Sequence, residues 1–432
     1  MHTRPPLLVT LRRVLLTGVL FYISYLSANW AAGLRMPLPE IVFAWEYAIP
    51  FWPASILPYW TLNFAYTLGF FLCRNDGEQR RYMAQLWLVQ LISVACFFIF
   101  PLQISWEKPV TEGWFGQMFA SLAAFDAPYN QAPSLHISLA LIVGRFYWYR
   151  LPEPWRPLWA LWMLMVGLSV LTTWQHHFID IPTGLMAGCA VLWALPWHRN
   201  EPASRPQWQS RLHTPAARRW VAVYSGAALL CTAAAALGQG AWLWLLWSAL
   251  AWGLLALMYA GLGADAWQKQ HGRHTLAVTL WMWPVYVQAW LNMRLWLRGK
   301  EHSSAVCGQV HIGSILAAKH YRCVLDLCAE WPLTPPPHYA AVPMLDMAAP
   351  TPAQLKRAVA ELERLAATGQ PVLVCCGLGY GRSAAVIITW LVTSGRAADM
   401  DSALQQLHTV RPVHLSAAAL IRIREVVSES GS

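Results

Sequence analysis

Near the end of the chain, residues 372–387 read VLVCCGLGYGRSAAVI: an apolar run, a cysteine, three alternating glycines, and an arginine that opens a second apolar run. A glycine loop between a strand and a helix lets the N–H groups of Gly377, Leu378, Gly379, Tyr380 and Gly381 turn inward. Such a nest at a helix amino terminus binds dianions. The same field, with Arg382, is expected to lower the pKa of Cys376 and supply a thiolate. Arg382 offers a planar fork for two phosphate oxygens. Ser383 offers a hydroxyl that can bond the sulfur and help it leave. The pattern is that of nucleophilic phosphoryl transfer. A nucleotide-binding loop finds no support, because no Gly-Lys-Ser/Thr closes the stretch and no Gly-x-Gly-x-x-Gly is met.

A second reactive group sits among apolar runs. One part is Ala132-Pro133-Ser134-Leu135-His136; the other is Gln175-His176-His177-Phe178-Ile179-Asp180. His176 and Asp180 are four apart and share a helix face. A carboxylate behind an imidazole sets its tautomer and raises its basicity, which suits a nucleophilic histidine. His136, arriving from another helix, can protonate a leaving oxygen. The same His/Asp pair would also fit a metal site, and that alternative stays open from the residues alone.

The elements that must position these groups fall into two kinds. Apolar stretches of about 20 residues, enough to cross a bilayer, occur near 14–33, 54–73, 82–101, 134–150, 157–175 and 178–197. An uncharged run, Trp220–Ala264, is divided by Gly238-Gln239-Gly240 into two more, and His274–Met293, with Pro284 in its middle, is a ninth candidate. Arg4, Arg12, Arg13, Arg74, Arg80, Arg81, Arg145, Arg150, Arg156, Arg199, Arg205, Arg211, Arg218 and Arg219 fall in alternate loops. The opposite loops carry only Arg35 and Lys108. The positive-inside rule then puts the amino terminus in the cytoplasm and both histidine motifs at the outer surface. After about residue 300, short strands at 309–312, 323–327 and 371–375 alternate with amphipathic helix 352–368, as in a small α/β domain.

Composition agrees with a membrane protein. The 432 residues are 57% hydrophobic and 12% charged, with 27 Trp, a residue favoured at the headgroup interface. The net charge of +10 lies in short Arg groups between apolar runs, which argues for cytoplasmic loops and against nucleic-acid binding. None of the nine Cys falls in a predicted outward loop, so no disulfide framework is expected.

Over roughly 55–197 the histidine motifs resemble the type 2 phosphatidic acid phosphatase superfamily, and within it the inositol phosphorylceramide synthase-like branch, with Pro-Ser-Leu-His and Gln-His-x-x-x-Asp. The resemblance implies a phosphohistidine on His176, oriented by Asp180, with His136 as acid. It also implies that Lys108, Ser134 and the backbone of Leu135 hold phosphate oxygens. Lys108 stands where the wider family has Arg, Leu135 replaces Gly, and Ser169-Val170 replaces Ser-Arg. Over about 304–425 the chain resembles dual-specificity (cysteine-dependent) phosphatases, through Cys-x-x-Gly-x-x-Arg-Ser at Cys376–Ser383, Val310–Ser314 and Arg411-Pro412. That resemblance implies a phosphocysteine on Cys376 and an acid on a loop upstream. Asp346, in Pro343-Met344-Leu345-Asp346-Met347, fits better than Asp326, which reads as a strand-end residue. Cys375 stands where the family has His.

The resulting expectation is a multi-span α-helical membrane bundle followed by a small α/β cysteine-phosphatase domain. Residues 1–199 would form the six-span lipid-phosphatase-like part, 200–299 a linker with two or three further helices, and 300–432 the terminal phosphatase. The whole resembles bacterial inner-membrane fusions of two phosphatase modules, with the terminal domain cytoplasmic. Expected partners are membrane lipids and a phosphorylated lipid or phosphoprotein; neither metal nor cofactor is expected. Two other readings remain: a lipid phosphotransferase in the membrane half, and a phosphate-binding module at the terminus.

Overall fold

The computed structural model describes residues 4–197 and 206–430, so Arg199 and Arg205 lie outside the described residues. The chain divides into two compact units, 1–202 and 203–432.

The first unit is helical. Helices α1 (Leu7–Gly33), α2 (Ile56–Leu72), α3 (Asp76–Ile99), α4 (Gly113–Ala123), α5 (Leu135–Trp148), α6 (Arg156–Thr172) and α7 (Asp180–Ala194) follow one another. Of these, α1, α3 and the helical stretch ending in α6 are long and apolar enough to cross a membrane. The expected fourth and sixth spans form as α5 and α7, only 14 and 15 residues long. The reason is local. Ser134 caps α5 by accepting from Ile137 N (3.3 Å), so the helix starts there. The segment before α7 leaves helical geometry at Trp174, φ +53°. Helix α5 starts at Leu135 and α7 at Asp180, each within two residues of its expected start, and both stop two or three residues before the expected windows end. Helix α4 was not anticipated.

Glycine sets the spacing of α5 and α7. A Cβ on Gly184 would lie 2.6 Å from Ser134 O, and one on Gly188 would lie 3.0 Å from Leu141 Cδ2. Two glycines four apart let helix backbones approach closely in apolar surroundings. That contact brings the start of α5 beside the start of α7, where Ser134 N donates to Asp180 O (3.2 Å).

In the second unit, α8 (Pro215–Gly238) and α9 (Leu245–Leu257) make a hairpin through Gln239, φ +51°. A π-turn, Met258–Leu262, extends α9. The ninth expected span is not formed as one: Pro284 sits in the first turn of a new helix, and the stretch divides into α10 (Leu276–Trp281) and α11 (Trp283–Trp296). A proline has no N–H for the ladder, so the helix restarts around it.

The rest of the unit is a five-stranded sheet, ordered β1-β2-β5-β3-β4, with β1 (Ser303–Cys307), β2 (Val310–Ser314), β3 (Cys323–Cys328), β4 (His338–Met344) and β5 (Val372–Cys376). Only the β1–β2 pair is antiparallel. Helices α12 (Pro352–Ala366), α13 (Arg382–Thr393), α14 (Met400–Val410) and α15 (Ala417–Ser430) complete it. In α12 the apolar Leu355, Ala358, Leu362 and Leu365 recur at helical spacing and are buried, while a Thr351–Gln354 capping box closes its start. Helix α13 is buried from Arg382 to Leu391, so it runs through the core behind β5. The central strand β5 ends where α13 begins, and ligands of parallel sheets bind at such carboxyl ends.

Candidate active sites

In the first unit, His176 Nδ1 faces Asp180 Oδ2 at 3.1 Å, and His177 N donates to the same oxygen at 3.0 Å. The bond leaves Nε2 of His176 as the nitrogen available to a phosphorus atom. His136 is buried, its ring stacked on Tyr59 with centroids 3.9 Å apart, and its Nε2 has no hydrogen-bond partner among the described residues. Lys108 donates to Gln175 Oε1 (2.6 Å), immediately before His176. Burial pushes the Lys108 ammonium down to about 8, against the pull of Asp126. A cavity of about 250 Å³ opens beside it, lined by Phe51, Lys108, Phe119, Asp126 and Gln175.

His177 is structural. Ser105 N donates to its Nε2 (3.1 Å), Glu46 lies 3.5 Å from Nδ1, and Trp106 covers the ring. Asp126, between α4 and α5, belongs to the site's surroundings. Burial raises its pKa, while a hydrogen bond from Tyr25 (2.5 Å) and the charges of His176 and Lys108 pull it down. No spacing signal marked it, because its partner Tyr25 is 101 residues away on α1. Among the described residues no group of three His, Cys, Asp or Glu is arranged to hold a metal.

In the second unit, Cys376 ends β5 and Arg382 starts α13. Gly379 N points at Cys376 Sγ from 3.3 Å. Of the three loop glycines, only Gly379 needs its freedom from side chains for backbone geometry: φ is +79°, and a Cβ there would fall 2.4 Å from Gly313 C. At Gly377 and Gly381 φ is not positive. Gly377 instead leaves room for Glu330 and Arg382, whose atoms lie 3.3 and 3.4 Å from where its Cβ would be. Arg411 braces the loop from outside, donating to Gly379 O (3.2 Å) and Leu378 O (3.0 Å), with its guanidinium over the Tyr380 ring.

The guanidinium of Arg382 is buried and caged. Nη1 donates to Glu330 Oε2 (2.7 Å) and Met344 O (2.9 Å), Nη2 to Glu330 Oε1 (2.6 Å), and Asp346 Oδ1 lies 3.0 Å from Nη2. Glu330 takes the Nη1–Nη2 end and leaves Nε a buried donor without a partner among the described residues. Burial alone would raise Glu330, but Arg382 holds it down at about 2. Asp346 sits on the loop after β4. Desolvation lifts it above the ordinary carboxylate range, with Arg382 pulling down and Glu330 pushing up. Ser383 Oγ is buried with no hydrogen-bond partner among the described residues, so the expected bond to the sulfur is not formed.

Asp326 is committed elsewhere, accepting from Lys269 Nζ (2.6 Å), Tyr339 Oη (2.8 Å) and Cys328 N (2.9 Å). Burial pushes the Cys375 thiol well above its ordinary value, and all nine cysteines are unpaired. Glu330 was missed by sequence reasoning. It lies in the connection after β3, 52 residues before the arginine it grips.

A family model of the PAP2 superfamily matches residues 35–195. A second, described as a polymorphic toxin system DSP-PTPase phosphatase, matches residues 316–396. Solved structures similar to this chain include human DUSP28 at 19% identity, covering 31% of this chain and 97% of that one, with a TM-score of 0.27. A mouse putative dual specificity phosphatase, complexed with zinc tungstate, is 22% identical over 31% of this chain and 90% of its own, TM-score 0.27. Tk-PTP in its active form is 19% identical over 29% and 97%, TM-score 0.26. No curated protein matches the chain.

Proposed function

The chain is a phosphatase with a PAP2-superfamily domain and a DSP-PTPase phosphatase domain, and on that premise we propose two separate phosphoryl-transfer sites. One forms a phosphocysteine on Cys376; the other forms a phosphohistidine on His176 and acts on lipid phosphates. The geometry above supports the following residue roles. In the terminal domain the Cys376 sulfur attacks phosphorus while Asp346, protonated, gives its proton to the departing ester oxygen. The phosphoryl oxygens rest on the loop N–H groups and on the free Nε edge of Arg382. Asp346, now a carboxylate, takes a proton from water as that water attacks, and phosphate leaves with the S–P bond broken. Ser383 supplies a hydroxyl to the departing sulfur. The observation that carries this reading is the convergence of Gly379 N on the sulfur with two unpartnered buried donors, Arg382 Nε and Ser383 Oγ.

In the membrane half, Nε2 of His176 attacks phosphorus as the ester P–O bond breaks, Asp180 takes up the Nδ1 hydrogen bond of the imidazolium, and His136 protonates the leaving oxygen. His136 then takes a proton from water as that water attacks the phosphohistidine, and phosphate leaves with the N–P bond broken. Lys108, Ser134 and the start of α5 at Leu135 hold phosphate oxygens. We assign residues 1–199 to this activity, 200–299 to anchoring and 300–432 to the terminal activity.

The raised Asp346 sets a pH signature. The acid works only while protonated, so turnover falls as pH rises through its pKa. Asp346→Asn should lower hydrolysis of an alkyl phosphate by roughly 10²–10⁴-fold and remove the basic limb of the pH profile. An aryl phosphate, whose leaving group needs little protonation, should lose far less. Equal losses on both substrates, with the limb retained, would move the acid role away from Asp346.

The α8–α9 hairpin enters and leaves on one side, the side of Arg211, Arg218 and Arg219. With α10–α11 not spanning, we place the terminal domain in the cytoplasm with the amino terminus. A fluorescent reporter fused after Ser432, which lies outside the described residues, should light in the cytoplasm; fluorescence confined to the far side of the membrane would reverse the assignment.

A further inference from the structure

The two loops that carry Glu330 and Asp346 are both fastened to the ends of the second unit's apolar helices. Tyr259 Oη, in the π-turn closing α9, donates to Asp346 O at 2.7 Å. Its ring stacks on Tyr224 of α8, centroids 5.6 Å apart at 28°, and Tyr224 stacks on Trp220 at 5.7 Å. The π-turn is pinned by Gln209 N to Gly261 O (3.0 Å) and Arg211 N to Ala260 O (2.9 Å). Single π-turns of this kind concentrate at functional positions.

The connection from α9 to α10 does the same for the Glu330 loop. Lys269, 1% exposed, donates to Asp326 Oδ2 and Cys328 O, both at 2.6 Å. His274 Nε2 meets Ala329 O at 2.8 Å, next to Glu330. Leu333 N donates to Gly272 O (2.7 Å), and a Cβ on Gly272 would fall 2.3 Å from Leu333 O. Helix α11 continues along the domain: Tyr286 meets His274 Nδ1 at 2.6 Å, and Met293 and Leu297 pack with Ile315 and Tyr380. Its other face leaves Trp283, Trp290, Leu291, Leu295 and Trp296 exposed, with Arg294 over Trp290 and Lys300 between Trp296 and Tyr380. An apolar and indole face edged by cations is suited to the headgroup region, where aromatic rings and basic side chains settle.

We infer that the substrate of the Cys376 site is the phosphomonoester headgroup of a bilayer lipid, presented at the membrane surface past the wall formed by Trp220, Tyr224 and Tyr259. The inference rests on the reading of Cys376 as a phosphatase nucleophile. Tyr259 ties the acid loop to the end of α9, a helix apolar enough to cross a membrane, and on this inference a headgroup reaches Asp346 without its lipid leaving the bilayer. Tyr259 acts as a positioning residue: it fixes the backbone of the acid rather than touching phosphate. A phosphopeptide gains nothing from either feature.

The test uses the full chain in the His176→Ala background, so that only the Cys376 site is read. Vesicles of phosphatidylcholine with 10% phosphatidic acid, a phosphotyrosine peptide and p-nitrophenyl phosphate are compared, the rate taken as the Cys376→Ser-sensitive part. Phosphatidic acid in vesicles should exceed the peptide in kcat/KM by at least ~10²-fold, within the span open to proximity effects. Tyr259→Phe should lower the ratio of lipid to aryl-phosphate turnover about tenfold, mostly in kcat, and shift the basic limb set by Asp346. Tyr224→Ala should lower the same ratio through KM. Aryl phosphate hydrolysed with no lipid turnover, or a peptide preferred to the lipid, overturns the lipid assignment while the phosphatase reading stands. An unchanged ratio and pH profile in both tyrosine variants overturns the wall. No Cys376-dependent turnover of aryl phosphate would remove the phosphatase reading beneath it.

Discussion

Cys376→Ser should abolish hydrolysis of phosphomonoesters at the terminal domain, by ~10⁴-fold or more, in the range seen when a nucleophile is removed from an enzyme that forms a covalent intermediate. Phosphate binding should persist. The cradle is made of backbone N–H groups and Arg382, and serine is nearly isosteric with cysteine, so the variant should still hold substrate with an affinity close to the parent KM. The buried cage of Arg382 by Glu330 and Met344 O does not depend on the sulfur. In the His176→Ala background, rapid quench with ³²P-labelled substrate should trap a phosphoenzyme that withstands alkali, as a phosphoserine would not, and that the added Cys376→Ser change removes. A variant that keeps more than about a tenth of parent turnover would place the nucleophile elsewhere in the loop.

The second large effect belongs to the membrane unit. His176→Ala should remove its lipid-phosphate turnover by at least ~10³-fold and leave the Cys376-dependent rate intact. Asp180→Asn should cost less, because it keeps a hydrogen bond near Nδ1 while losing the charge that stabilises the imidazolium. The cation of this site adds a pH dependence. Lys108 titrates at about 8, lowered by burial, so its charge is lost as pH rises through that value and KM for the lipid phosphate should climb above it. Lys108→Arg should hold the charge and flatten that rise. If His176→Ala removes nothing from the lipid-phosphate turnover and Cys376→Ser removes all of it, this unit is an anchor or substrate-binding part.

Much of the terminal site was legible because its groups are close in sequence. Strand, cysteine, glycines and arginine occupy one continuous run, and β5, the loop and α13 form where the run implied. The helix at 352–368 was readable for the same reason, as one apolar face at helical spacing, and it forms as Pro352–Ala366. What could not be read were partners distant in the chain. Glu330 reaches Arg382 across 52 residues, and Tyr259 reaches Asp346 across 87. Nothing in the local pattern of either residue announces that contact. Asp326 illustrates the opposite case: its place inside Val324-Leu325-Asp326-Leu327 marked it as a strand residue, and its buried pairing with Lys269 agrees.

In the membrane half, hydropathy located the apolar runs but not where helix geometry stops. The windows at 134–150 and 178–197 included residues spent on polar motifs rather than on complete spans, and His274–Met293 was interrupted by Pro284. Window averages respond to composition, whereas caps, positive-φ residues and prolines act through single backbone positions. The sheet edge strands β1 and β4 escaped notice too, since each is only partly apolar and half-buried.

The central claim is that one chain holds two independent phosphatase sites. It is tested most directly by measuring phosphate release from phosphatidic acid, phosphatidylglycerophosphate, an isoprenoid diphosphate and a phosphotyrosine peptide with the parent, Cys376→Ser, His176→Ala and the double variant. The account predicts that Cys376→Ser and His176→Ala each remove a separate share of the turnover, with phosphatidic acid losing part of its rate in both, and that the double variant loses all activity. If His176→Ala changes nothing while Cys376→Ser alone abolishes every activity, the glycine loop is the chain's sole hydrolytic site and the claim is wrong.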